Sequence, residues 1–233
     1  MTVIVVTGTS TGVGKTVVTA ALAVVATVAG NRVCVVKPVQ TGVAPGEQTD
    51  ITTVARLCGC ASVHQLSRLD DPLAPDTAAR LRGLAIPSVA ALALGTARLA
   101  GDHDITLVEG AGGVAVRLDT DGETLLTLAG HLVEASYDVR VVVVTSLALG
   151  TLNHTELTMA AVRAAGLVPA GLVVGSVPAE LGLAERCNIE ELPRVTGVPL
   201  RGMIPAGVGG WEPGRFQHEA VGWLDAQTML GII

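Results

Sequence analysis

The chain opens on an aliphatic run, residues 3–6, that breaks at Thr7-Gly8. Unbroken apolar residues bounded by glycine read as a strand buried on both faces. Residues 15–29 are rich in Ala, Val and Leu and stop at Gly30-Asn31, which reads as a helix with a glycine stop. Residues 32–36 form a second strand, closed by Lys37-Pro38. Residues 50–58 and 88–99 read as helices, and residues 105–108 and 139–145 as strands. A loop at 147–150 leads into a helix from about 153 to 165. Residues 167–174 and 199–204 finish the strand series, and the tail from Trp211 onward holds one helix. Between 62 and 87, Asp71-Pro72, Pro75-Asp76 and Ile86-Pro87 cut the chain into short pieces with no assignable period.

Strands therefore alternate with helices, the pattern of an α/β protein. The expectation is a single domain over residues 1–233, with a mostly parallel sheet and helices on both faces. In such sheets ligands bind beyond the carboxyl ends of the strands. The segments that follow the strands here start at Gly8, Lys37, Glu109, Thr145, Gly175 and Pro205, and they are the parts richest in Gly, Lys, Thr and Glu.

Composition narrows the class. Hydrophobic residues make up 49% of the chain, charged residues 15% and aromatics 2%. Average domains carry about 25% charged residues, so apolar surface is ample to offset chain entropy, and disorder is excluded. Val, Ala and Leu must fill the core. A mean hydropathy of +0.56 raises the membrane question. The charge-free stretches 16–31 and 164–179 both fall short of the ~20 apolar residues a spanning helix needs, so a soluble protein is expected. The net charge of −6 offers nucleic acid no basic surface. Of the four Cys only Cys58 and Cys60 are close, and C-x-C without a second pair or nearby His is a poor zinc signal. The first residues lack a basic and apolar leader pattern, so the reducing cytoplasm is expected.

The most specific segment is Gly8-Thr9-Ser10-Thr11-Gly12-Val13-Gly14-Lys15-Thr16, between the first strand and the first helix. Glycines let backbone N–H groups turn toward a phosphate, and the helix N-terminus adds positive potential. Lys15 supplies a point charge for the outer phosphates, and the Thr16 hydroxyl suits Mg²⁺. In the usual G-x-x-x-x-G-K-[ST] spacing the first Gly would fall at Thr9. Gly8 stands one residue early, so the strict pattern fails by one position. Its core and its strand–loop–helix context point to a P-loop NTPase fold.

Glu109 ends a strand and opens Glu-Gly-Ala-Gly-Gly, and Asp50 begins a predicted helix. With Thr16 they would give Mg²⁺ three hard oxygen ligands. Asp50 reads equally well as a helix N-cap, and Glu47 competes with it. Lys37 sits in Lys-Pro-Val-Gln-Thr-Gly at the same end of the sheet. Two lysines and a divalent cation around one cavity suit phosphoryl transfer, whose catalysis is mostly positioning and charge stabilisation. His154 reads as a packing or capping residue ahead of a general base, and Asn153 is the better ligand candidate. No Gly-x-Ser-x-Gly and no Cys–His arrangement supports covalent catalysis.

Taken in order, Gly8 to Thr16, Lys37-Pro-Val-Gln-Thr-Gly42, Glu109-Gly-Ala-Gly-Gly113, Leu149-Gly-Thr-Leu-Asn-His154 and Ile204-Pro-Ala-Gly207 resemble dethiobiotin synthetases over most of the chain. The longer phosphate loop is that family's form. The resemblance implies Mg²⁺-dependent joining of CO₂ to 7,8-diaminopelargonic acid with ATP or another nucleoside triphosphate. It implies Lys37, Lys15 and Thr11 as catalytic. It puts the nucleotide on Gly12, Val13, Gly14, Lys15, Thr16, Val17, Asp50, Glu109, Gly110, Ala111, Gly112, Gly175, Ser176, Pro205, Ala206 and Gly207. It puts the diamine or its carbamate on Thr41 and Gly113, and the metal on Thr16, Asp50 and Glu109. It further implies a homodimer in which Gly150, Thr151, Leu152 and Asn153 reach the substrate's tail carboxylate from the neighbouring subunit. One departure stands out: the family commonly carries an adenine-reading Asn where this chain has Gly175, which has no side chain to read a base.

Two rivals share the nucleotide fold. Partitioning or switch-type ATPases usually carry an extra Lys early in the phosphate loop, absent from Thr7-Gly8-Thr9-Ser10, and would leave the Lys37 segment unexplained. An amidotransferase-linked synthetase needs a glutaminase domain, for which 233 residues leave no space.

Overall fold

The computed structural model describes residues 1–44, 46–59 and 62–231. Its strands are β1 (Thr2–Gly8), β2 (Val33–Thr41), β3 (Val63–Leu69), β4 (Ile105–Glu109), β5 (Asp138–Thr145), β6 (Val168–Val177) and β7 (Leu200–Pro205). The helices are α1 (Lys15–Val28), α2 (Asp50–Cys58), α3 (Pro75–Arg82), α4 (Val89–Ala100), α5 (Leu125–Glu134), α6 (Thr151–Ala164), α7 (Leu183–Thr196), α8 (Pro213–Ala220) and α9 (Ala226–Leu230). The strands form one sheet in the order β3-β2-β4-β1-β5-β6-β7, and every strand pair is parallel.

The central strand shows why the apolar runs are unbroken. Ile4 and Val6 pack into one cluster with α1, α2, α8 and α9, while Val3 and Val5 pack into a second with α4 to α7. A strand covered on both faces has no solvent side, so period-2 alternation disappears. Of the scarce aromatics, Phe216, Trp211 and Trp223 gather at the first cluster, and Tyr137 packs against the second. Phe216 is fully buried and meets Trp223 edge-on at 5.3 Å, and Trp211 meets Trp223 at 5.9 Å. Among the described residues no helix is long and apolar enough to cross a membrane.

Several elements differ from the sequence reading. β2 does not close at Lys37-Pro38 but runs on to Thr41. Its register with β4 stops at Val36, and the one with β3 passes over Pro38, so the missing proline N–H breaks no ladder bond. The uninterpreted 62–87 stretch contains β3 and α3. The helix after β5 begins at Thr151 rather than 153. The tail from Trp211 holds α8 and α9, not one helix, and a 3-10 turn at Val208–Gly210 precedes it. α5 and α7 carry no reading at the sequence level. Because all strands are parallel, the loops that follow β1, β2 and β4 open at the same, carboxyl end of the sheet.

Candidate active site

The phosphate loop spans the gap between β1 and α1. Gly14 stands at φ 95°, a conformation that favours glycine, and a Cβ there would lie 2.5 Å from the Gly175 carbonyl oxygen. A Cβ on Gly175 would fall 2.1 Å from the Val13 carbonyl oxygen. Gly175 thus serves as a close-packing surface that docks the loop onto the end of β6. Lys15 is 7% exposed, and its Nζ donates to the Ser10 carbonyl at 3.1 Å. Burial is the main cause that lowers its pKa to about 8, and the Lys37 charge adds to it. Glu109 and Asp50 counter part of the shift.

Lys37 has similar burial and the opposite surroundings. Its ammonium is 2.7 Å from Asp50 Oδ2 and 2.8 Å from Glu109 Oε1, and it donates to the Gly110 carbonyl at 3.0 Å. Burial opposes its charge, but Glu109 and then Asp50 outweigh that, and its pKa rises above the usual lysine value. Each carboxylate is placed by an element end. Glu109 ends β4 and is 1% exposed. Asp50 is the first residue of α2, whose cap is Thr49: its Oγ1 accepts from the Thr52 N–H in a capping box. The N-cap reading of Asp50 is therefore corrected in favour of Thr49. Glu47 stays in its own exposed loop, where it accepts from the Ala44 N–H at 2.9 Å.

Lys15, Lys37, Asp50 and Glu109 line a cavity of about 780 Å³. Of the expected site residues, Thr11, Gly12, Gly14, Lys15, Thr16, Lys37, Thr41, Asp50, Glu109, Ala111 and Gly112 line it. Gly110 contributes its carbonyl to Lys37, and Gly113 lies against the phosphate loop, where its Cβ would stand 3.4 Å from the Thr9 carbonyl. Val13 and Val17 pack into the α1 side of the core. Gly175 is buried, and Ser176 is exposed. Pro205 and Ala206 line a separate hollow of about 330 Å³, and Gly207 follows them into the 3-10 turn. Gly150, Thr151, Leu152 and Asn153 stand at the start of α6, outside the large cavity. Thr151 is held there by a buried hydroxyl network, 2.8 Å from Thr145, which is itself 2.8 Å from Thr155.

The sequence reading missed Gln40, Val116 and the segment from Pro72 to Pro75. Gly42 has φ 72° and lies so close to this segment that a Cβ would stand 3.0 Å from Pro72 Cα. The prolines and the Gly at 42 were the available signal. None of the five histidines lines the cavity. Cys58 is buried at the end of α2, and Cys60 lies outside the described residues.

The donor set suits a hard divalent cation. Glu109 Oε1 accepts both from Lys37 Nζ and from Thr16 Oγ1, the latter at 2.9 Å, while Asp50 meets the same ammonium. Glu109 and Asp50 thus already meet one positive charge, with the Thr16 hydroxyl bonded to Glu109, and all three are oxygen donors of the kind Mg²⁺ prefers.

A family model described as an AAA domain matches residues 2–207. The chain is 53% identical over 226 residues to "ATP-dependent dethiobiotin synthetase BioD" of Rhodococcus jostii, covering 97% of this chain and 96% of that protein. The protein of the same name from Streptomyces coelicolor is 50% identical, over 96% of this chain and 92% of its own length. Among solved structures, the cell division ATPase MinD of Pyrococcus furiosus superposes with a TM-score of 0.59 at 19% identity, covering 100% of this chain and 99% of that one. MinD complexed with Mg-ADP from Pyrococcus horikoshii gives 0.54 at 18% identity, covering 100% of this chain and 90% of that one. At such identity the MinD likeness is one of fold alone. Near-full-length identity at about half of all positions is a likeness of a different order, and the chain belongs to the family of ATP-dependent dethiobiotin synthetases.

Proposed function

We propose that the chain joins CO₂ to 7,8-diaminopelargonic acid and closes the ureido ring of dethiobiotin at the expense of a nucleoside triphosphate. The observation that carries this reading is the convergence of Lys15, Lys37, Thr16, Asp50 and Glu109 on one cavity. Lys15 and the phosphate-loop amides bind the triphosphate. Mg²⁺, held by Thr16, Asp50 and Glu109, would supply charge neutralisation at the phosphates.

One amine of the substrate attacks CO₂ and loses a proton, giving a carbamate. A carbamate oxygen then attacks the γ-phosphorus and the nucleoside diphosphate leaves. Both reactants are anions, and Lys37 and Lys15 screen their repulsion from either side of the cavity. The second amine attacks the carbonyl carbon of the carbamic–phosphoric anhydride, the ring closes, and phosphate departs. Thr41 and the backbone at Gly112 and Gly113 orient the diamine. A homodimer completes the site when Gly150 to Asn153 of one subunit receive the substrate tail. The high exposure of Leu149 (92%) and Leu157 (63%) near that segment supports a partner there.

The test is phosphate release with Mg²⁺, bicarbonate and each common triphosphate, with and without the diamine. Release that requires both diamine and bicarbonate is expected. Gly175 presents no side chain to a base, so the ranking of triphosphates should be shallow. Release indifferent to the diamine would overturn the synthetase reading and favour a switch-type ATPase.

A further inference from the structure

Gln40 is a buried polar side chain, 4% exposed, in the cavity wall. Its amide bridges two residues of the proposed site. Oε1 accepts from the Asp50 N–H at 3.1 Å, and Nε2 donates to the Thr41 carbonyl at 3.0 Å. The Asp50 N–H belongs to the first turn of α2, where the helix itself provides no acceptor. Thr49 satisfies the Thr52 N–H, so Gln40 supplies a second, tertiary fastening from β2 to the start of α2. In the connection between them, the Gly42 N–H bonds to the Leu69 and Asp71 carbonyls and Arg68 donates to the Val43 carbonyl, fastenings on the β2 side that do not reach Asp50. Residues 42, 44 and 46–48 of the 42–49 loop are exposed, and Gly42 and Gly46 stand at φ 72° and 90°.

The chemistry at position 40 is demanding. The Asp50 N–H needs an acceptor and the Thr41 carbonyl needs a donor, and a planar amide provides both on one group. A carboxylate would offer two acceptors and set a further negative charge beside Asp50. An apolar side chain would leave the Asp50 N–H without this partner.

We infer that Gln40 is a positioning residue: it fixes the backbone of Asp50 so that the carboxylate stays on the cation side of the cavity, and it thereby sets the divalent-cation affinity. This inference rests on the proposed role of Asp50 as a metal holder. Partners that orient metal ligands change affinity by about 10–100-fold when removed.

The experiment uses Mn²⁺ as the probe, with free Mn²⁺ read by electron paramagnetic resonance in the presence of a non-hydrolysable triphosphate. The proteins are the full chain, Gln40→Met, Asp50→Ala and the double variant, each checked by thermal unfolding. Gln40→Met is expected to weaken Mn²⁺ binding about tenfold or more. The double variant should be no weaker than Asp50→Ala alone, because both substitutions remove the same ligand. Metal-free triphosphate affinity should stay within about twofold of wild type, and the half-saturating Mg²⁺ for turnover should shift by the same factor as the Mn²⁺ constant. Mn²⁺ affinity unchanged in Gln40→Met but lost in Asp50→Ala would overturn the inference, as would losses that simply multiply in the double variant. Unchanged affinity in Asp50→Ala would overturn the metal assignment together with it, and neither result depends on the diamine requirement of turnover. Should Gln40→Met fail to fold, hydrogen exchange of the wild-type Asp50 amide decides: protection like that of the α2 interior supports the fastening, and rapid exchange overturns it.

Discussion

Two lysines face one cavity from two regions of the molecule, and their settings are opposite. Lys37, on β2, meets two carboxylates and a carbonyl, and its charge is held above the usual lysine pKa. Lys15, at the start of α1, meets one carbonyl, and burial lowers its pKa to about 8. Their exposures, 3% and 7%, are nearly the same, so burial does not separate them. Partner charge does. At the β2 end the ammonium is already matched, by two carboxylates, before any ligand arrives. The Lys15 ammonium is not, and an incoming polyanion is what matches it. A site so built stores its unmatched positive charge where phosphates land and its matched charge where a second anion is received.

The largest expected effect falls on the matched end. Lys37→Met leaves Glu109 and Asp50 facing one another without their cation, and breaking a buried pair this way costs about 3–5 kcal/mol. Denaturant unfolding should show that loss, turnover should fall at least about 100-fold, and calorimetric triphosphate binding should largely survive. Loss of nucleotide binding together with folding would make Lys37 structural and remove the contrast.

Lys15→Met should act in the opposite direction on stability. The folded pKa lies below the usual 10.5, so the folded chain releases the Lys15 proton before the unfolded chain does. That penalty is fully present below pH 8 and fades as pH rises from about 8 to 10.5. The variant should gain about 1–2 kcal/mol at pH 7, after loss of the Ser10 hydrogen bond, and should lack the rise in stability across that window. Triphosphate affinity should drop by about 2–3 kcal/mol, the worth of a charge-assisted contact. A destabilised Lys15→Met would show the lysine to be matched after all.

Wild-type triphosphate affinity should fall as pH rises above about 8, by up to about tenfold per pH unit, because binding must then also protonate Lys15. Titrations in buffers of different ionisation enthalpy should register proton uptake. The smallest effect belongs to Thr49→Ala. Loss of the α2 cap should cost about 1 kcal/mol. It should weaken metal-dependent steps through Asp50 while sparing metal-free triphosphate binding at Lys15. Equal damage at both ends would mean that the two regions are one cooperative unit.

The legibility of the sequence followed the same division. β1, β4, β5 and α1 were readable because they are buried on both faces or all along one side, and unbroken Val and Ala runs leave little ambiguity. β3 was not readable: its edge position leaves Val63 to Arg68 only half-buried, and its polar sequence carries no strand period. Pro38 hid the second half of β2, since its harmlessness depends on where β4 stops pairing. In the site, Lys15, Thr16 and Glu109 announced themselves through neighbouring glycines. Asp50 could not be separated from an N-cap by residue type, because Thr49 beside it can cap equally well and Lys37, which meets its carboxylate, lies across the cavity. Gln40 was invisible for a related reason: its partner lies ten residues on, joined through tertiary structure alone.

In the proposed reaction, the event that joins the two regions is the transfer of an oxygen from the carbamate, held toward Lys37, to the γ-phosphorus, held at Lys15. Its most direct measurement is a turnover with freshly supplied ¹⁸O-labelled CO₂ and unlabelled water, read by mass spectrometry of the released phosphate before hydration exchange dilutes the label. The expected result is one heavy oxygen per phosphate and the other retained in the ring carbonyl. Phosphate that carries no heavy oxygen would show that water is the nucleophile, and the chain would be a hydrolase built on the same fold.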